Sequence, residues 1–580
     1  MNKITYKFLR LLCLAFMFMG QACKKDKVDA VLDNRGLTEN RASSTARIIN
    51  LGGFNQVIAN GDSLTNFVVR NSSSTDYYKF PGTSYFPTDG KLGKTWNIPQ
   101  DLFNAQETAS FDFMSRLYQP TTLADIKLEV KNDYSNPTDY FLMPNAFMEG
   151  QPTVVPVKRG VSAPSKPDHF KIRIINLSGE IKTKGNNASG ALEDLRGNVS
   201  LAYADGTLVN PQTSNVSANQ RASEYIELPY GTYQFKVLTP NGRQLPALGS
   251  EAYEFTLIDP PTSTIPNSMM NSTALTYAPI QTYQPGGIYT IVIAPQSFNY
   301  IINDLGETAS TYQNSFQIIN DNSAPVNHSY FRINSANAWD SQNISFRING
   351  KLIASNLDFG QAGAYLNFIQ GNHTVEAVDA SGKVIASATQ ALRSAQNYTA
   401  WLYPDQTGVA KLLLVANDLS GYIYAGGVQD DASFSRKQFK FFFFKRFLNL
   451  SADNPYITFT TDNGQPVGNV STSDNAKVGV NMQPGIPLLE SPFASGGYAQ
   501  PSYQLMAYRS KPNVVPGSWA SDIPVLKHDD FIANKALYSE ASRQLPVHEA
   551  GIYTVALIGK STGASSPQTK AKMIIVKHNK

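Results

Sequence analysis

The chain of 580 residues is too long for a single hydrophobic core and sets an expectation of three to five domains. Charged residues make up only 16%, against 29 Tyr, 31 Phe, 40 Gly and 33 Pro, a profile of strands and turns with aromatics covering pleated surfaces. The formal net charge of +4 falls to +1 once Lys3, Lys7 and Arg10 leave with an N-terminal leader, which argues against nucleic acid as the partner, since that needs a basic face.

The leader is read from residues 1–22. Lys3, Lys7 and Arg10 precede a short apolar run, Leu11 to Met19, and Gly20-Gln21-Ala22 then stands before Cys23. The run is shorter than the roughly 18 residues that span a bilayer, so it reads as a secretory signal peptide. Cys23 followed by Lys24-Lys25-Asp26-Lys27 resembles the export segment of Bacteroidota surface lipoproteins, which implies a lipid on Cys23. Gly20 departs from that pattern, which usually has Leu or a similar residue three places before the Cys. The only other cysteine, Cys13, lies within the leader, so the mature chain is expected to have no internal disulfide. Residues 23–44 read as a polar tether.

Beyond the tether a short pattern recurs at domain-sized intervals. Arg47-Ile48-Ile49-Asn50, Arg173-Ile174-Ile175-Asn176, Phe331-Arg332-Ile333-Asn334 and Arg446-Phe447-Leu448-Asn449 each open an apolar alternating run. A second pattern closes each unit, led by Tyr140, Tyr289, Tyr398 and Tyr553 and followed by a last strand. These limits divide the chain into sandwich domains at 45–160, 168–322, 327–425 and 438–580. Prolines 152, 156, 164 and 167 cluster between the first two, and residues 426–437 join the last two.

Two further stretches match each other. Gly231 to Gly242 carries Tyr233-Gln234-Phe235-Lys236-Val237, and Gly371 to Gly382 carries His373-Thr374-Val375-Glu376-Ala377-Val378. Period-two alternation between turns predicts antiparallel strands with one face packed and the other wet. Asn349-Gly350 between Phe346-Arg347-Ile348 and Lys351-Leu352-Ile353 predicts a type I′ hairpin. The one helical candidate is Asp101 to Leu117. The expected fold is therefore all-β, a tandem array of about four antiparallel, immunoglobulin-like β-sandwiches.

The strand into Asn334, the Asn349-Gly350-Lys351-Leu352 hairpin, the Gly360-Gln361-Ala362 link and the Tyr398-Thr399 strand together resemble an uncharacterised β-sandwich repeat domain of Bacteroidota lipoproteins. The resemblance covers about residues 327–425 and is weaker elsewhere. That family often reads Asn-Ala-Ser-Pro-Asp after its first strand, and Asn334-Ser335-Ala336-Asn337-Ala338 lacks the Pro-Asp. No active site comes with the family, so the resemblance implies fold and location and not activity.

Residues able to carry chemistry are sparse. The six histidines, at 169, 328, 373, 528, 548 and 578, show no zinc-helix spacing, and no nucleophile elbow or phosphate loop is present. His528-Asp529-Asp530 with His548-Glu549 offers a metal alternative to two solvated turns, and the expectation is no metal and no cofactor. Asp430-Asp431 falls in a linker, and no catalytic residue is assigned. Tryptophans are the better ligand candidates, because an indole stacks on a sugar ring or anchors a protein contact. Trp401 alternates with apolar neighbours and is expected in a core, whereas Trp96 and Trp519 stand in loop-like contexts and are the speculative ligand-binding residues. Phe441 to Phe444, too short to cross a membrane, reads as a buried strand.

Two functions follow from different classes. One is a non-catalytic surface lipoprotein, anchored in the outer membrane through Cys23, that captures a glycan or another extracellular ligand. The other is an adhesive or structural spacer for protein partners, its four domains of roughly 40 Å each reaching on the order of 150 Å. The fourth domain, farthest from the lipid, is the expected binding end.

Overall fold

The structure, a computed structural model, describes residues 41–580 except 70–77, 117–121, 145–147, 150–151, 182–194, 246, 248–279, 302–307, 323, 341–342, 418, 420–442, 468–477, 490–491, 496–501, 538–547 and 565. Cys23, the leader, Asp430-Asp431 and Phe441-Phe442 lie outside the described residues, while Phe443 and Phe444 open a strand. The described chain is all-β, built of small sheets, with helix limited to short 3-10 turns and one-turn fragments. No helix among the described residues is long and apolar enough to cross a membrane.

Contacts divide the chain into two compact units, residues 1–143 with 153–158, and residues 144–152 with 159–580. In the first unit two four-stranded sheets face each other across one core. Ile48, Trp96, Ile98 and Leu142 enter it from one sheet, and Val57, Phe111, Phe113 and Val130 from the other. The expected helix over 101–117 is instead a 3-10 turn followed by the strand Thr108–Arg116. Ala109, Phe111 and Phe113 enter the core at every second residue, a period that only a strand can satisfy.

The second unit contains three more cores, each between its own sheets. Phe170, Ile174, Val237 and Ile291 belong to one, Phe331, Phe346, Val375 and Leu402 to the next, and Phe447, Phe459, Leu505 and Val555 to the last.

All four sheet assemblies share one topological feature. The opening strands Ser43–Asn50, His169–Asn176, Tyr330–Asn337 and Phe443–Asn449 pair in parallel with Thr138–Leu142, Ile288–Ile301, Asn397–Pro404 and Gly551–Ile558. The two recurring sequence patterns are thus hydrogen-bonded neighbours. Arg47 faces Asp139, Arg173 faces Thr290 and Arg446 faces Thr554.

The recurring Asn closes the exit from the opening strand. Asn176 Oδ1 accepts from Ser178 N at 3.1 Å while its Nδ2 donates to the Gly197 and Val216 carbonyls. Asn449 repeats this with Ser451, Asn454 and Met482. In the third assembly Asn337, and not Asn334, holds the equivalent position. It faces Leu402, binds Trp339 N at 3.0 Å and donates to the Leu357 carbonyl.

The closing Tyr also has a defined task. Tyr289 OH accepts from Gln284 N, Tyr398 OH accepts from Arg393 N, and Tyr553 OH donates to the Glu549 carbonyl, each pinning the corner that leads into its own strand. Tyr140 is two places out of this register, facing Ile48 where Thr138 would be the equivalent.

The Asn349-Gly350 hairpin forms as expected, with φ of 47° and 81° and Ile348 opposite Lys351. The wet face expected for Gln234 and Lys236 does not exist, because both are buried by contacts with the last assembly. Lys236 Nζ lies 3.5 Å from Glu549 Oε1, so the first and last assemblies of this unit touch and the unit is not a linear row. Trp401 is buried as expected, but between the third and fourth assemblies with Leu448 and Ala556 and not in its own core.

Candidate functional site on an edge strand of the second unit

The four tryptophans separate cleanly. Trp96 is only 8% exposed, packed edge-on against Phe111 and tilted against Phe86 with ring centroids 5.7 and 5.3 Å away. It is a core residue of the first unit, and the sequence expectation of a ligand role for it is corrected. Its place in the strand Thr95–Pro99 turns it inward beside Ile98, which the flanking Lys94 and Asn97 obscure in the sequence. Trp339 packs against the third core. Trp519 is 52% exposed.

Trp519 ends the strand Val514–Trp519, the outermost of its sheet, paired antiparallel with Gln504–Lys511. Trp519 stands opposite Tyr508 and Ser518 opposite Arg509, with an irregularity before Lys511. Val514 and Val515 on the same strand are 53% and 50% exposed, so the edge presents apolar side chains to solvent. Pro516 has no N–H to offer a neighbouring strand, which limits edge-to-edge pairing. Gly517 has φ +88°, and a Cβ there would stand 2.0 Å from the Arg509 carbonyl oxygen. Only glycine lets the strand lie this close and bring Trp519 back onto Tyr508.

Charged groups border this edge. Arg509 makes a two-pronged ion pair with Asp522, both contacts 2.7 Å, and also reaches Asn454 at 3.0 Å and Ser561 at 2.7 Å. Hydrogen bonding from Arg509 holds the Asp522 carboxyl down at about 2, so it is ionised throughout the neutral range. Alternation along the paired strands puts Trp519 with Tyr508 on one face and Ser518 with Arg509 on the other, so the Arg509–Asp522 pair fixes the far side of the edge while the indole and Tyr508 share the exposed side. An apolar ring face can stack on that aromatic side.

Sequence reasoning singled out Trp519, in a loop-like context that is in fact the end of a strand, and did not point to Val514, Val515, Arg509 or Asp522. The available signal was Val514-Val515-Pro516-Gly517, a β-branched pair followed at once by two residues that a central strand rejects.

The alternative metal residues are not gathered into a site. Among the described residues no group of three His, Cys, Asp or Glu is placed to hold an ion. Asp529 pairs with Lys535 at 2.7 Å, and buried Glu549 lies between Lys236 and Lys577. His548 is buried beside Tyr503, and desolvation pushes its pKa well below the ordinary histidine range.

Fold and site together define a multi-sandwich all-β protein with an apolar aromatic edge. Residues 329–423, which contain the Asn337 turn, the Asn349-Gly350 hairpin and the Tyr398 corner, match the family described as Domain of unknown function (DUF4397). No curated protein matches the chain.

Proposed function

We propose that this protein is a non-catalytic lipoprotein of the outer membrane, held by a lipid on Cys23, that binds an extracellular glycan through the Trp519 edge. The observation that carries the reading is the half-exposed indole of Trp519, in register with Tyr508 on a strand that also exposes Val514 and Val515. Covering half of an indole, roughly 120 Å² of a side chain that buries up to about 250 Å², contributes about 3 kcal/mol at ~25 cal/mol/Å². That suits the modest affinity of a surface protein meeting a repetitive polymer, where several weak sites act together. The family match covers residues 329–423, carries no assigned chemistry and is neutral on the ligand.

The test is a glycan array and pull-down with the mature chain beside Trp519→Ala. Binding to a polysaccharide that falls at least tenfold in the variant supports the reading. A blank array with a reproducible protein partner overturns the glycan and leaves the adhesive alternative. The anchor is tested separately by metabolic labelling with palmitate, which a Cys23→Ala variant must lose.

A further inference from the structure

We propose that the segment Lys577–Lys580 is a latch that joins the three sheet assemblies of the second unit into one body. The strand Lys572–Lys577 leaves the sheet of the last assembly, and the three residues after it reach both neighbours, His578 the middle assembly and Asn579 and Lys580 the first. His578 lies with Nε2 2.7 Å from Thr554 Oγ1 in its own assembly and Nδ1 2.7 Å from Tyr365 OH in the preceding one. Its backbone N–H donates to the Ile552 carbonyl at 2.8 Å. Asn579 Oδ1 accepts from Ile552 N at 3.0 Å, and its Nδ2 donates to Gln234 Oε1 in the first assembly of the unit. Lys580 then pairs as a strand residue would, N–H to the Thr232 carbonyl at 3.0 Å and carbonyl from Gln234 N–H at 2.8 Å. Its ammonium stands 4.1 Å above the Tyr203 ring.

The surroundings fit a seated strap. Lys236 and Lys577 flank buried Glu549 at 3.5 Å each, an ion cluster shared across two assemblies. Arg332 crosses from the middle assembly to Thr232 Oγ1 at 3.1 Å and lies 4.6 Å over Tyr365. Ile280, Leu419, Phe493 and Ile552 form an apolar cluster drawn from all three assemblies. The segment thus occupies the edge of Gly231–Tyr233 that Gln281–Tyr283 leaves open, the position another strand would take. While the segment is seated, the three assemblies behave as one body. Release exposes the Thr232–Gln234 edge and loosens the first assembly, which then keeps the Lys236–Glu549 pair, the Arg332–Thr232 bond and apolar contacts with the other two.

The experiment uses the full chain with Lys580→Pro, which removes the donor to Thr232, combined with His578→Ala. Hydrogen exchange and small-angle scattering are read together. The expected result is at least a tenfold loss of protection at the Gln234 amide and a larger radius of gyration. The core amides of His169–Asn176 and Phe443–Asn449 should keep their protection, which separates undocking from misfolding. An unchanged radius with Gln234 still protected overturns the proposal. If the core amides also lose protection, the milder Asn579→Ala decides by the same readouts: unchanged Gln234 exchange overturns the latch, and selective loss at Gln234 upholds it.

Discussion

Lys445 lies where the opening strand of the last assembly turns its side chain inward, fully buried against Tyr503 and Phe531. Its ammonium is 3.1 Å from Tyr503 OH and 4.2 Å from that ring's centre. Desolvation brings its pKa from 10.5 down to about 7. In the unfolded chain the amine keeps its proton up to about pH 10.5, while in the folded chain it releases it above about 7. Between those values the unfolded state binds more protons, so this group makes stability rise with pH, and its destabilising effect is complete below about 7. The gap corresponds to on the order of 5 kcal/mol at neutral pH and about 1.5 kcal/mol at pH 9.5.

Lys445→Met keeps the stem and removes the amine. It forfeits a hydrogen bond worth about 1 kcal/mol and a cation–π contact of about 1–2 kcal/mol. The variant should therefore gain roughly 2 kcal/mol at pH 6.5 and lose that advantage by pH 9.5. Calorimetry of both proteins at a series of pH values between 6.5 and 9.5 reads the difference, in which titrations elsewhere cancel. Parallel curves, or a variant less stable at pH 6.5, would refute the reasoning.

Other substitutions test separate parts of the structure. Trp96→Ala should destabilise the first unit by about 3–5 kcal/mol, whereas Trp519→Ala should leave thermal unfolding within about 0.5 kcal/mol of the parent. Gly517→Ala, which places a methyl against the Arg509 carbonyl, should shift Trp519 fluorescence and cut ligand binding while far-UV circular dichroism stays the same. His578, pushed down to about 3 by burial and by Arg446 and Arg332, binds its proton only in the unfolded chain between about pH 3 and 6.5. Acid should thus weaken the second unit across that window, and His578→Gln should flatten the dependence seen by hydrogen exchange.

Much of the architecture was legible because the repeats are physical necessities. An Asn that closes a strand exit recurs because each opening strand ends in the same way, and a Tyr pins the corner in three of the four assemblies. What could not be read was which of several Asn reaches the turn. In the third assembly Asn334 matches the pattern by sequence spacing, yet Asn337 stands opposite Leu402 and performs the task. Gln234 and Lys236 alternate as though one face met water, because a sequence does not record that a segment more than 300 residues later will cover it. For the candidate site, exposure decided between Trp96 and Trp519. The same residue type in similar local contexts falls in a core in one unit and on an edge in the other.

The parallel pairing of opening and closing strands has a temporal consequence. Arg47 meets Asp139 across 92 positions and Arg173 meets Thr290 across 117, so no opening strand finds its central partner until nearly the whole assembly has been synthesised. Such long loops must close before their contacts reward it, which slows folding. Under the export proposed above, an extended chain would meet this constraint repeatedly. Each opening strand finds an antiparallel partner sooner, yet its other edge waits unpaired until the closing strand arrives, 65 positions on in the third assembly and 117 in the second. Exposure to aggregation is therefore greatest before each closing strand arrives, and a holding chaperone that shields the waiting edge should govern the yield of the protein more than the stability of its finished cores.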